Sequence, residues 1–230
     1  VTAFSALILG LVVAVPWALS PGSVSRAALA RGRRLGLRAG VLSALPRILL
    51  DGVMLTLLFL ALLPFSESAQ VEATVLCIAG GGLCILGTRI AARGRRSRLY
   101  RPPRDPNHNE GLLTVFGSGL LGVLRTPSFF IFWLTGGASL AWLAIGSEAP
   151  LEILIWMLVG DAMAFLAWCL FLANAARHHR GIRVMDGRAY RAVLSLGGLG
   201  LSLLGLYFLV MRVLLGTVLP LWVPRGDLGL

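Results

Sequence analysis

The sequence contains no lysine, only three cysteines, three histidines and three tyrosines, and only 10 acidic residues among 230. Each shortage excludes something. Charged residues make up 13% of the chain, about half the share of an ordinary soluble domain, so a water-facing surface of normal polarity cannot be built. Cys77, Cys84 and Cys169 all sit in apolar runs without the paired spacing of a metal or redox site. They read as inert thiols, Cys77 and Cys84 being seven apart on one helix face. His108, His178 and His179 fall in polar connections, which argues against a histidine-held metal inside a membrane. No metal site, cofactor or catalytic residue is expected.

What remains is apolar. Hydrophobic residues form 57% of the chain and the mean hydropathy is +0.84. At about 20 apolar residues per spanning helix, that supply makes about six spans and leaves little for a large soluble domain. The net charge of +11 comes entirely from arginine among the bases. In a soluble protein it would invite a nucleic-acid partner; in a membrane protein it sets orientation, and no nucleic acid is expected.

Hydrophobic segments at about 3–20, 39–63, 70–92, 111–145, 151–175 and 192–215 predict six transmembrane helices in an all-α integral membrane protein. The first lacks a basic lead-in and a small-residue cleavage pattern, and reads as a span instead of a removable signal. The connections alternate in charge. Five arginines lie between Pro21 and Arg38, seven between Arg89 and Glu110, and five between Arg177 and Arg191, whereas Pro64–Glu72 and Gly146–Glu152 carry acids only. Cytoplasmic loops are the ones enriched in Lys and Arg, so both termini are expected outside. The proline-containing stretch 93–110 reads as a flexible cytoplasmic linker within one transport domain, 1–230.

Three spans on either side of that linker enter the membrane from opposite sides, so their likeness would be that of two inverted three-helix repeats. Pro21 and Pro127 interrupt the first span of each half, 106 residues apart, and Asp51 and Asp161 lie in the second spans, 110 apart. Glycines 80–82 and 197, 198 and 200 recur in the third spans, as close helix packing requires.

Four ionisable residues sit where charge is costly. An ion near the bilayer centre costs about 2.5–3.5 kcal/mol on insertion scales and marks a cavity or a partner. Arg47 and Asp51 are one helical turn apart and could pair, either to hold the bundle together or to line a path. Arg125 precedes Thr126, Pro127 and Ser128 in an apolar stretch too long for one span; a helix broken there is tolerated only in protein or along a cavity. Pro21, Gly22 and Ser23 mark a similar break in the first span, and the two breaks in matching positions, with Arg47 and Arg125, read as one substrate-binding region. Asp161 has no base within a turn of its own helix and so needs a partner from elsewhere, or a proton. Arg47 and Arg125 could hold a carboxylate, Asp51 and Asp161 an amine or a coupling proton.

Leu19, Ser20, Pro21 and Gly22, followed by a basic stretch through Arg33, Arg34 and Gly36 to Ala39 and Gly40, resemble the first-span signature of the LysE/RhtB family of amino-acid exporters. Asp51, the run Leu86, Gly87 and Arg89, the triplet Thr126, Pro127 and Ser128, Trp168, and the closing Gly205, Leu206 and Tyr207 are similar to later family motifs in the same order. Ser23, Ser128, Pro46 and Arg47 stand where the family commonly has proline, lysine, glycine and an apolar residue. The resemblance implies a bacterial inner-membrane exporter of amino acids or related zwitterions by proton exchange, with the lipid bilayer, a small-molecule substrate and protons as its partners and homodimerisation left open. Two other classes compete: a metal-cation exporter, for which only Asp51 and Asp161 could supply ligands, and a lipid-modifying membrane enzyme using the basic loops on phosphate headgroups.

Overall fold

A computed structural model describes residues 2–20, 22–96, 112–178 and 187–210. The described residues are almost wholly helical and include no strand. The helices are α1 (Ala3–Leu19), α2 (Ser23–Leu35), α3 (Leu37–Leu62), α4 (Ala69–Arg96), α5 (Leu112–Leu124), α6 (Pro127–Phe132), α7 (Ala138–Ile145), α8 (Pro150–Arg177) and α9 (Arg188–Leu209). A π-helical segment, Trp133–Gly137, joins α6 to α7, so that Pro127–Ile145 forms one crossing length.

Among the described residues, five helical stretches are long and apolar enough to cross a membrane, and α1 with α2 makes a sixth if the pair, bent by 69°, is one span. Their outer surfaces are greasy. On α3, Leu45, Leu49, Val53 and Leu57 recur every four residues and are all exposed, while Ala39, Gly40, Ser43, Ala44, Arg47 and Asp51 are buried. This is the inverse of a soluble helix: lipid covers the large apolar side chains, and small or polar ones face the neighbouring helices.

Both anticipated breaks are present, with different extents from those the hydropathy predicts. The first span, expected at 3–20, ends in Ser20, whose backbone is extended; Pro21 itself lies outside the described residues. The arginine-rich stretch after it was expected to be a connection, yet Ser23–Leu35 is helical. Its buried residues, Ser25, Ala28, Leu29 and Gly32, follow the i, i+3, i+4, i+7 rule of an amphipathic helix, a period that span-level hydropathy averages away. Gly36, with φ +55, turns the chain into α3. The fourth segment, expected over 111–145, is divided by extended Thr126: α5 is a short apolar helix, and the crossing stretch starts at Pro127. The expected linker 93–110 begins later than the charge run implies, because α4 stays helical to Arg96; its remainder lies outside the described residues, as does the end of the sixth expected span beyond residue 210.

α4 packs along α9, and α8 packs against α1, α2 and α3. The helix axes approach closely at glycine. A Cβ on Gly80 would stand 2.7 Å from the Gly205 carbonyl oxygen, and one on Gly198 2.6 Å from that of Gly87. Gly10 of α1 and Gly160 of α8 likewise face the opposite backbones at Met157 and Leu7.

Candidate functional site

Between α1, α3, α6, the π-helical segment and α8 lies a cluster of buried charge. Arg47 and Asp51, four residues apart on α3, form an ion pair with Nε donating to Oδ2 at 2.7 Å. Asp51 is fully enclosed, and its other oxygen accepts the indole N–H of Trp133 at 2.7 Å. Trp133 opens the π-helical segment, an irregularity that commonly accompanies functional sites. Asp161 of α8 is also buried and faces Asp51. The neighbour it lacks on its own helix is thus a second carboxyl, on α3. Its Oδ2 has no hydrogen-bond partner.

The Arg47 guanidinium is enclosed by aromatic rings, with Cζ 4.5 Å from the Phe129 centroid, 4.9 Å from Phe165 and 5.6 Å from Trp17. Ring faces attract a desolvated cation and leave the guanidinium's planar edge for hydrogen bonding. One edge nitrogen, Nε, is used by Asp51; Nη2 is buried without a partner. A buried ion pair is costly to desolvate and equally costly to break on one side, so this arrangement fixes the local packing of α3.

Arg47 also forms part of the wall of a cavity of about 450 Å³. Both helix breaks contribute to that wall. From the first come Ser20, Gly22 and Ser23, and from the second Thr126, Pro127 and Ser128. Six of the eight residues expected at the substrate site, namely Gly22, Ser23, Arg47, Thr126, Pro127 and Ser128, are therefore brought together, while Pro21 lies outside the described residues. Arg125 is different: it occupies the turn between α5 and α6, is exposed, and is not part of the wall. Leaving the helix at the break turned its side chain outward, which the apolar run around it did not reveal. Asp51 and Asp161 are not wall residues either; they lie behind Arg47.

Other wall residues are not among those the sequence points to as a substrate site. Arg26, Arg89 and Arg93 line the cavity along with Trp17 and Phe165. In the sequence the orientation rule accounts for the three arginines and the apolar spans for the aromatic residues, and neither points to a cavity. A tryptophan deep in a span, with an N–H to satisfy, was the available signal for Trp133.

The first break is held by its neighbours. Tyr190 of α9 donates its hydroxyl to the Leu19 carbonyl at 2.5 Å and stacks on Trp168. Trp168 in turn donates to the Ser25 hydroxyl at 3.2 Å. At the second break Thr126 donates its hydroxyl to Gly122, one turn earlier, at 2.8 Å.

Among the described residues, no group of three or more histidine, cysteine, aspartate and glutamate side chains gathers as metal ligands would. Residues 15–212 match the family of LysE type translocators. The chain is also similar to the chemotactic transduction protein ChpE of Pseudomonas aeruginosa, with 29% identity over 196 residues, 84% of this chain and 91% of the relative. No solved structure matches it.

Proposed function

We propose, from the premise that the chain belongs to the LysE type translocator family, that it is a secondary exporter of amino acids or related small metabolites across the bacterial inner membrane, driven by proton exchange. The family is one of membrane transporters, and the multi-pass helical fold agrees with it. The observation that carries the finer reading is the cavity itself, shared by two helix breaks and backed by the buried Arg47, Asp51 and Asp161 cluster. Substrate would enter the cavity, and the enclosed carboxyls would take up and release the coupling proton. A role for them in holding an amine is disfavoured by their placement behind the wall.

The packing supports two inverted repeats within one transport domain. If α1 with α2 is the first span and α5 to α7 the fourth, exchanging spans one and four, two and five, and three and six maps the substantially packed pairs onto themselves. Span three on six, two on five and one on four are kept; one on five becomes four on two, one on two becomes four on five, and three on four becomes six on one. The charge rule supports both termini outside. On that orientation Arg26, Arg89 and Arg93, which line the cavity, would stand at its cytoplasmic end, the side from which an exporter loads.

The test is flux through the purified chain in proteoliposomes, using a panel of labelled amino acids and small organic acids with and without an imposed pH gradient. Counterflow of at least one solute, accelerated at least fivefold by the gradient, is expected; no exchange of any solute would overturn the reading. Wild-type flux from Asp51→Asn would remove that carboxyl from the coupling path.

A further inference from the structure

We infer that the cavity is a recognition site for an oxyanion, and that the exported metabolite carries net negative charge on a carboxylate or phosphate group. The inference rests on the exporter reading above and names the substrate class of the same site. Four arginines, Arg26, Arg47, Arg89 and Arg93, contribute to the wall, and no acidic residue does so among the described residues. The acids nearby are already committed. Both oxygens of Asp51 are engaged, one by Arg47 and one by Trp133, and the side chain is fully enclosed. Asp161 faces Asp51 behind the wall. An ammonium group entering the cavity would meet cations and hydroxyls with no carboxylate to receive it.

Arg47 supplies the independent sign of a ligand. The residue is 4% exposed, yet its Nη2 has no hydrogen-bond partner. Leaving a buried charged donor unsatisfied is unfavourable, and an arginine edge held between aromatic rings is well shaped for a carboxylate or phosphate oxygen. The start of α2 adds to it. Gly22 caps this helix without a side-chain hydrogen bond, and Ser23, Val24 and Ser25 belong to the cavity wall. The first N–H groups of a helix have no intrahelical acceptor, and with the helix dipole they favour an anion. Arg26, Arg89 and Arg93 are exposed, so they would draw an anion toward the opening, and a small shift of the rings around Arg47 would bring its enclosed Nη2 to the anion at depth.

Proteoliposomes containing the full chain would be tested with lysine as cation, leucine as zwitterion, and glutamate, succinate and glycerol phosphate as anions. At least one anion is expected to exchange at least tenfold faster than lysine and leucine at equal concentration. The preferred anion distinguishes carboxylate from phosphate recognition. The exposed pair Arg26→Gln and Arg89→Gln should raise the KM for that anion at least fivefold with little change in kcat. A second readout is the thermal unfolding midpoint of the detergent-solubilised chain, which the same anion should raise and lysine should not. Exchange of lysine or leucine as fast as every anion would overturn the anion assignment and leave the exporter reading standing. With no exchange of any solute, the exporter reading falls, while anion-selective stabilisation would still uphold the oxyanion site. Absence of both flux and anion-selective stabilisation overturns both.

Discussion

The seam between α4 and α9 and the region around α3 are both built from small residues, and they use that smallness for opposite ends. Along the seam, Gly80 faces Gly205 and Gly87 faces Gly198, so the backbones meet and no room is left. Around α3, Gly40 lets α8 approach at Cys169 and Leu170, and Gly119 lies against Pro46, yet the helices beside them break and a cavity remains. Close packing in lipid comes from contact between backbones, since no hydrophobic effect drives helices together there. The seam spends all of its contact on cohesion. The other side gives some up, and its interior carries the Arg47, Asp51 and Asp161 cluster where those contacts would be.

That contrast is most strongly tested by filling the seam. Gly198→Val would drive side-chain carbons into the α4 backbone at Gly87 and Ala91. Overpacking of this kind costs about 3 kcal/mol or more when backbone must move, so little folded protein should be recovered after detergent extraction. Gly81 is the internal control: a Cβ there meets nothing within 4 Å. Gly81→Ala should extract normally and unfold at an equal or higher temperature, alanine being the better helix former by about 1 kcal/mol. Equal yields from the two variants would show that glycine in α4 is compositional and not a contact requirement.

On the cavity side the sharper probe is Trp133→Phe, which keeps most of the ring and deletes the donor to Asp51 Oδ1. A hydrogen bond to a charged group contributes about 1.5–3 kcal/mol. The variant should lose stability in that range, and transport should fall further than folded yield, because Asp51 would keep Arg47 as its one remaining donor. A variant that keeps wild-type flux with its full response to a pH gradient would show that the indole merely fills space beside the carboxylate.

Much of this contrast was legible in the sequence. The spacing of Arg47 and Asp51 predicts their pairing, and the two Pro-containing stretches predict the breaks, because each depends on local geometry that one helix enforces. The glycine clusters likewise point to close packing. Less legible was anything requiring two distant segments. Asp161 could be read only as lacking a partner on its own helix, since nothing in its neighbourhood specifies Asp51 across 110 residues. Arg125 and Arg89 show the reverse error. The first stands in an apolar run and turns outward at the break, whereas the second stands in a basic run that the orientation rule explains, yet it borders the cavity. Hydropathy windows measure how apolar a neighbourhood is, and neither residue's side-chain direction is a property of its neighbourhood.

The smallest effect concerns the two breaks themselves. Tyr190 reaches from α9 to the Leu19 carbonyl, freed at the end of α1, and Trp168 joins it to Ser25 at the start of α2. Thr126 donates within its own chain segment, to Gly122. The first break is thus tied to the sixth and fifth spans, and the described hydroxyl contact at the second is local. Tyr190→Phe keeps the stacking and removes one neutral hydrogen bond, a loss of about 1 kcal/mol that should lower the thermal midpoint by only a few degrees. Its effect on exchange should be larger than its effect on stability if α1 and α2 change their angle during transport, because an untied joint alters the populations of its conformers. Transport rates measured against thermal midpoint for Tyr190→Phe and Thr126→Val would separate the cases: a change in rate confined to Tyr190→Phe marks the first break as the moving joint, and equal changes mark both breaks as equivalent supports of the cavity.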